Sequence, residues 1–195
     1  MRVSRTQAAE NRQTVINVAS RLFRERGFDG IGLKDLMKGA GLTQGAFYKQ
    51  FASKEDLAVQ ASERALESAS RRWSDAIAES PEDPLGAVLD VYLSRGHRDE
   101  KLDGCPIVAL GSDAARQGSD VKASFEAGIK AHLDVLNRIL AEMDDNHLKG
   151  KAMVILSTMV GAMTLSRLVS DPDLAQGFLD AAAEQVRAIQ AQGAA

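Results

Sequence analysis

The sequence predicts an all-α protein, with a small N-terminal three-helix head followed by a larger helical body. Three observations carry that prediction. Ala, Leu, Glu, Arg and Lys dominate the 195 residues, and these favour helix. Apolar residues recur at i, i+4, i+7 and i+8 rather than at alternate positions. Gly, Ser, Asp and Pro fall at the junctions between the periodic segments, where helix ends call for them. Aromatics make up 5% of the chain and β-branched runs are short, so nothing asks for a sheet.

The first helix is expected over residues 7–26. Val15, Ala19, Leu22 and Phe23 form its apolar stripe, and Gly27 ends it by supplying the left-handed conformation that a side chain resists. After the loop "FDGIG", Gly32 stands at the N-cap of a second helix, residues 33–40, with Leu36 and Ala40 inward and Gly41 as the stop. Thr43 is placed to cap a short third helix, residues 44–51, whose Phe47 and Phe51 lie at i, i+4 and pack onto Leu36 and Leu42. Ser53 caps a long fourth helix, in which "SKED" makes a near capping box with acids in the positive first turn. That helix runs to about residue 79 with Leu57, Ala61, Ala65, Ala69, Trp73 and Ile77 on one face, and Ser80-Pro81 breaks it. Further helices are expected over residues 84–96, from Cys105 or Pro106 to 117, and over 119–144, 149–170 and 171–192. Ser119 and Asp171 are natural caps and Pro172 a natural first-turn residue. The division by function falls at residues 1–53 and 54–195.

Composition removes several classes of function. Cys105 is the one cysteine, so no internal disulfide can form, and His97, His132 and His147 are scattered without metal-ligand spacing. No paired acids or Ser/His/Asp constellation stands out, and "GIGLKDL" lacks the preceding strand and third glycine of a phosphate-binding loop. No catalytic residue, metal or cofactor is therefore expected. The longest apolar stretch, residues 153–163, is broken by Ser157, Thr158 and Gly161 and is too short to span a membrane. The first residues lack the apolar core of a signal peptide, which points to a cytoplasmic protein. Charge is uneven: the net charge is -3, yet residues 1–56 hold ten Lys and Arg against six Asp and Glu, leaving −7 on the rest. A basic head on an acidic body suits binding of a polyanion by the head alone.

The short third helix raises the question of purpose, because helices of that length are marginal in water. Two short helices joined by "AGLT" and packed on a third form a helix-turn-helix, whose second helix lies in the DNA major groove, about 12 Å wide. Its residues fit that task. Gln44 can pair bidentately with adenine, and Lys49 can reach guanine acceptors or a phosphate. Tyr48 and Gln50 can bond bases or phosphates, Ala46 can touch a thymine methyl, and Gly45 lets the backbone come close. Lys54, at the start of the fourth helix, is a ready phosphate contact.

The segment "GFDGIGLKDLMKGAGLTQGAFYKQFASKEDL" resembles the DNA-binding head of the TetR/AcrR-type transcriptional regulators. The matching features are Gly27-Phe28, Leu36-Met37, Ala40-Gly41-Leu42-Thr43, Tyr48 with Phe51, and Lys54-Glu55-Asp56-Leu57. Gly32 stands where Ser or Thr is usual, Met37 replaces Ala, and Gln50 replaces a common His, a change that bears on the operator rather than the fold. The resemblance implies that Thr43, Gln44, Ala46, Tyr48, Lys49 and Gln50 contact DNA and that Lys54 contacts a phosphate. It further implies a homodimer that represses transcription until a small ligand enters the C-terminal domain.

Two stripes in the last helices suit a four-helix dimer seam: Ile155, Met159, Ala162 and Leu165, then Leu174, Phe178, Ala182 and Val186. Two recognition helices about 34 Å apart would match one turn of a palindromic operator. Trp73, Tyr92, Phe125, Met153 and Met163 are expected walls of an effector pocket. Cys105 precedes Pro106 at an expected N-cap, where a helix dipole stabilises a thiolate, so it is a further effector-site residue and a candidate sensor of oxidants or electrophiles. Some TetR-type regulators resemble this chain in having Gly-Cys at that juncture.

Overall fold

A computed structural model describes residues 4–141 and 148–191, and all regular structure among them is helical. The helices are α1 (Arg5–Arg26), α2 (Leu33–Gly39), α3 (Gln44–Phe47), α4 (Lys54–Glu79), α5 (Pro84–Tyr92), α6 (Arg95–Asp99), α7 (Pro106–Ala114), α8 (Ser119–Ala141), α9 (Leu148–Leu168) and α10 (Pro172–Ala191). They form two compact units. One comprises the chain up to Ser68 together with Lys101–Glu126, and the other comprises Ala69–Glu100 with the chain from Ala127 onward. These units follow packing, whereas the division at residue 53 is one of function and remains a proposal.

The first unit is built around the expected aromatic and aliphatic positions. Val15, Ala19 and Phe23 of α1, Leu36 and Met37 of α2, Phe47, Phe51 and Leu57 are buried in one cluster. Leu110 and Ala114 of α7 and Val121 and Phe125 of α8 belong to the same cluster, so a segment distant in sequence completes the head. Local signals set the ends. Ser4 Oγ accepts from Gln7 N at 3.1 Å and starts α1 two residues before the expected position. Gly27 ends α1 at φ 76°, and any Cβ there would stand 2.5 Å from the Asp113 carboxylate on α7. Gly41 has φ 70°, which lets Leu42 N fold back to bond Met37 O at 2.9 Å and sets the sharp turn between α2 and α3. Ser53 Oγ accepts from Asp56 N at 3.0 Å while Asp56 accepts from Ala52 N at 3.0 Å, a reciprocal cap for α4.

The second unit holds α5, α6, α9 and α10 with the later parts of α4 and α8. Trp73, Leu85, Leu89, Leu136, Ile155, Met159, Met163 and Leu179 fill its interior. Helices α9 and α10 pack on each other as an antiparallel pair linked by the short Asp171 cap, whose carboxylate accepts from Leu174 N at 3.2 Å.

Three expected boundaries differ. The α-helix expected over residues 44–51 ends at Phe47, and the chain continues as a turn tightened by a bond from Gln50 N to Phe47 O at 2.8 Å. Residues 84–96 divide at Leu93, because Ser94 Oγ accepts from His97 N at 3.1 Å and so starts a new helix, α6. The helix ending near residue 117 stops at Ala114. The expected end of the 119–144 helix, and His147, lie outside the described residues. By length and composition alone, Gly150–Leu168 in α9, a longer span than residues 153–163, is apolar enough to cross a membrane, a test that a core helix of a globular unit also passes. Its apolar residues divide between a face buried in the unit and an exposed face, a distribution that also suits a helix at a protein interface.

Candidate nucleic-acid interface

The short helix and its following turn present a polar surface on an apolar base. Phe47 is fully buried and stacks on Phe51 with ring centroids 5.3 Å apart. Helical geometry then turns the residues on either side outward. Thr43, Gln44, Gly45, Tyr48 and Lys49 are exposed, and Ala46, Gln50 and Lys54 are half-buried. Tyr48 is 66% exposed although its ring meets Phe47 edge-on at 5.4 Å, so its hydroxyl reaches outward from a seated ring. An added Cβ at Gly45 would meet nothing within 4 Å, so the backbone faces open space. Thr43 occupies the N-cap position, but its hydroxyl makes no capping bond, and the first turn is held by Ala46 N to Thr43 O at 3.0 Å. All eight residues expected to contact DNA lie on residues 43–54 of the first unit, and none is buried.

The chain holds this surface from behind through α1. Arg12 Nε donates to Gln50 O at 3.4 Å, and the Arg12 guanidinium carbon is 4.9 Å from the Phe51 ring centroid. At the other end of α1, Arg24 is buried, with its side chain 2% exposed. Its Nη1 donates to Gly104 O at 3.0 Å and its Nη2 to Asp103 at 3.2 Å, while Arg21 pairs with the same carboxylate at 3.2 Å. Sequence reasoning missed Arg24. The available signal was its position four residues after Ser20 and eight after Ile16, on the buried face of α1.

The expected effector residues do not assemble as one group within either unit. Trp73, Tyr92 and Met163 are buried in the second unit, whereas Cys105 and Phe125 are buried in the first, Phe125 within the head core. Met153 is 62% exposed, because α9 turns it away from the interior that Ala152 and Ile155 enter, so it walls no interior cavity. What surrounds Trp73 is a ring cluster that joins the expected Tyr92 with two histidines that sequence reasoning missed. Trp73 meets Tyr92 at 5.7 Å and His132 at 4.6 Å, both edge-on, and Tyr92 meets His97 at 4.8 Å. The histidines were scattered in sequence, but His132 falls on the apolar stripe of α8 with Val135, Leu136 and Ile139, a buried-polar signal. Burial lowers His97 from the ordinary 6.5 to about 4, against the contact of its Nδ1 with Tyr92 O at 2.6 Å; the charges of Arg167 and Arg72 lower it further. Burial likewise lowers His132, whose Nδ1 lies 2.7 Å from Gly128 O. The hydrogen-bond pattern assigns the proton to Nδ1, leaving the buried Nε2 as an acceptor without a hydrogen-bond partner among the described residues. No group of three His, Cys, Asp or Glu able to hold a metal occurs among the described residues.

The residues of the expected dimer stripe divide between the interior and the surface of the single chain. Ile155, Met159, Ala162, Ala182 and Val186 are buried within the single chain, where α9 and α10 meet each other and the unit interior. Phe178 is half-buried, and Leu165 and Leu174 are exposed. The outward apolar face comprises Val154, Leu165 and Leu168 on α9 and Leu174 on α10. Added Cβ atoms at Gly161 and Gly177 would meet nothing within 4 Å.

A helix-turn-helix whose second element bears exposed Gln, Tyr and Lys over buried phenylalanines defines a DNA-binding head. Comparison with known proteins agrees: residues 15–61 match the family described as "Bacterial regulatory proteins, tetR family". The chain is 25% identical over 141 residues to the transcriptional repressor NemR of Escherichia coli, covering 71% of each chain. It is 32% identical over 92 residues to the transcriptional regulator AcrR of Shigella flexneri, covering 47% of this chain and 43% of that one. The solved structure of a TetR transcriptional regulator from Chloroflexus aurantiacus superposes with a TM-score of 0.80 at 25% identity, covering 93% of this chain and 96% of the other. Residues 15–61 thus carry the DNA-binding head of the TetR family of transcriptional regulators, and the chain as a whole is similar to members of that family.

Proposed function

We propose that the chain is a transcriptional repressor that binds a palindromic operator as a homodimer in the cytoplasm and leaves it when a small molecule enters the helical body. The observation that carries this reading is the exposure of Thr43, Gln44, Gly45, Tyr48 and Lys49 around the fully buried Phe47. Gln44, Tyr48, Lys49 and Gln50 read bases or phosphates, Ala46 and Gly45 admit close approach, and Thr43 and Lys54 bind phosphates. The outward apolar face of α9 and α10 supports the dimer: Val154, Leu165, Leu168 and Leu174 are 44–74% exposed apolar side chains that a second copy would cover. Trp73, Tyr92, His97 and His132 form the part of the body best suited to an effector, an apolar cluster with a buried acceptor to orient a hydrogen-bond donor. Selection from random duplex DNA with purified protein, at several salt concentrations, tests the reading. The expected winner is a palindrome with half-sites about 34 Å apart and a steep fall of affinity with salt. Lack of enrichment over random duplex in protein stripped of bound small molecules would overturn it.

A second reading of the same fold is a thiol sensor acting through Cys105. It is favoured by the position of Cys105 at the N-cap of α7, with no side-chain capping bond. The residue before it, Gly104, is bonded to Arg24 of α1, so a change at the thiol is one residue from a helix of the DNA-binding head. Cys105 is 2% exposed, so reaction requires the surrounding loop to open. If Cys105→Ser leaves operator release by electrophiles unchanged, this reading fails.

A further inference from the structure

We infer that Arg12 is a positioning residue for operator recognition, holding the C-terminal end of the recognition turn from α1; the inference rests on the reading of residues 43–50 as the DNA-contacting surface. The α-helix of that surface is only Gln44–Phe47, so the carbonyls that follow it lack the intrahelical partners a longer helix would give them. Gln50 O is one of them, and Arg12 Nε supplies a donor at 3.4 Å, a long hydrogen bond. The same guanidinium lies 4.9 Å from the Phe51 ring centroid, within cation–π range. Phe51 stacks on Phe47 at 5.3 Å with planes 24° apart, and Phe47 meets Tyr48 at 5.4 Å with planes 88° apart. A continuous series of contacts thus runs from Arg12 through two buried rings to Tyr48, while the hydrogen bond fixes the backbone one residue beyond Lys49.

The chemistry calls for arginine. Its planar guanidinium can stack on a ring face and donate in its own plane at once, whereas an ammonium group can approach a ring or donate but has no planar face to do both in one fixed geometry. No ion pair of Arg12 with a carboxylate occurs among the described residues, so its bond to Gln50 O and its contact with Phe51 are what place it. Arg12 therefore sets how Tyr48, Lys49 and Gln50 are presented, which governs discrimination between operator and other DNA rather than attraction to DNA in general.

The test uses the full chain, the operator obtained by random-duplex selection, and a random duplex of equal length. Dissociation constants are measured across a salt series for wild type, Arg12→Ala and Arg12→Lys, with melting temperatures recorded for each. Both variants are expected to lose about tenfold in the ratio of operator to random-duplex affinity, within the range of one base contact, with random-duplex affinity and salt slope unchanged. Arg12→Lys keeps the charge, so full discrimination in that variant shows that charge alone suffices and overturns the inference. An equal loss on both duplexes with the salt slope smaller by about one makes Arg12 a phosphate contact and overturns it. Unchanged discrimination in both variants also overturns it. If Arg12→Ala melts early, Arg12→Lys decides alone. A wild-type chain that does not discriminate at all sinks the base-reading surface itself, an outcome distinct from variants that discriminate as well as wild type.

Discussion

The recognition turn and the ring cluster around Trp73 are built by opposite means. The turn draws its side chains from a dozen consecutive residues and rests on two stacked buried rings, Phe47 and Phe51, so its outward face follows directly from the local helical path. The cluster draws Trp73 from α4, Tyr92 from α5, His97 from α6 and His132 from α8. Its rings are brought together only by packing within the unit. The turn is polar and exposed, whereas the cluster is largely apolar and mostly buried, with both histidines held toward the neutral form. A surface that must fit a fixed external groove can be encoded locally, but an enclosed site needs walls on several sides and hence several helices.

Cutting out the central ring of each region separates them most strongly. Phe47→Ala and Trp73→Ala should each destabilise their own unit by roughly 3–5 kcal/mol, the usual range for a large aromatic removed from a core. Both are read by denaturant unfolding. Phe47→Ala should abolish operator binding, and Trp73→Ala should weaken the effector response more than operator binding. Equal loss of operator binding in both would break the comparison.

The next effect is that of pH on the two histidines of the cluster, His97 half-buried and His132 buried. His97 has a folded pKa of about 4 against 6.5 when unfolded, because burial disfavours its charge. Above 6.5 it is neutral in both states and does not bear on stability. As pH falls below 6.5 the unfolded chain takes up the proton first, so stability is lost progressively until about pH 4, by roughly 3 kcal/mol at most. His132 acts in the same direction. His97→Gln should flatten the dependence of unfolding free energy on pH between 6.5 and 4, and an unaltered slope would contradict the burial argument.

The smallest effect lies at the edge of the turn. Lys54→Ala should weaken binding to operator and random duplex alike and lower the salt slope by about one, as for a single phosphate contact. A change confined to the operator would instead place Lys54 among the base readers and blur the boundary of the reading surface.

The same contrast explains what the sequence showed. The head was legible because its signals are local: Gly27 and Gly41 at positive φ, Ser53 with Asp56 as a reciprocal cap, and Phe47 with Phe51 one turn apart. What could not be read locally is that α7 and Phe125 complete the head core, since their contacts span dozens of residues. Helix periodicity showed that α9 and α10 are amphipathic but not which apolar stripe faces inward. Ile155 and Met159 went to the interior and Leu165 and Leu168 to the surface, a choice set by the neighbouring helices. Ser94 illustrates a further limit: a strong cap inside an apolar run split one expected helix into α5 and α6.

The central claim is that residues 43–50 read DNA sequence. Its most direct test is a pair of parallel random-duplex selections, one with the wild-type chain and one with Gln44→Ala. The account predicts a palindromic winner for the wild type and, for the variant, the same palindrome with base preference lost at one symmetric position in each half-site, at a cost of about 1–3 kcal/mol on the original site. Identical winners with identical affinities would contradict it, and would move the reading surface away from the face on which Gln44 stands.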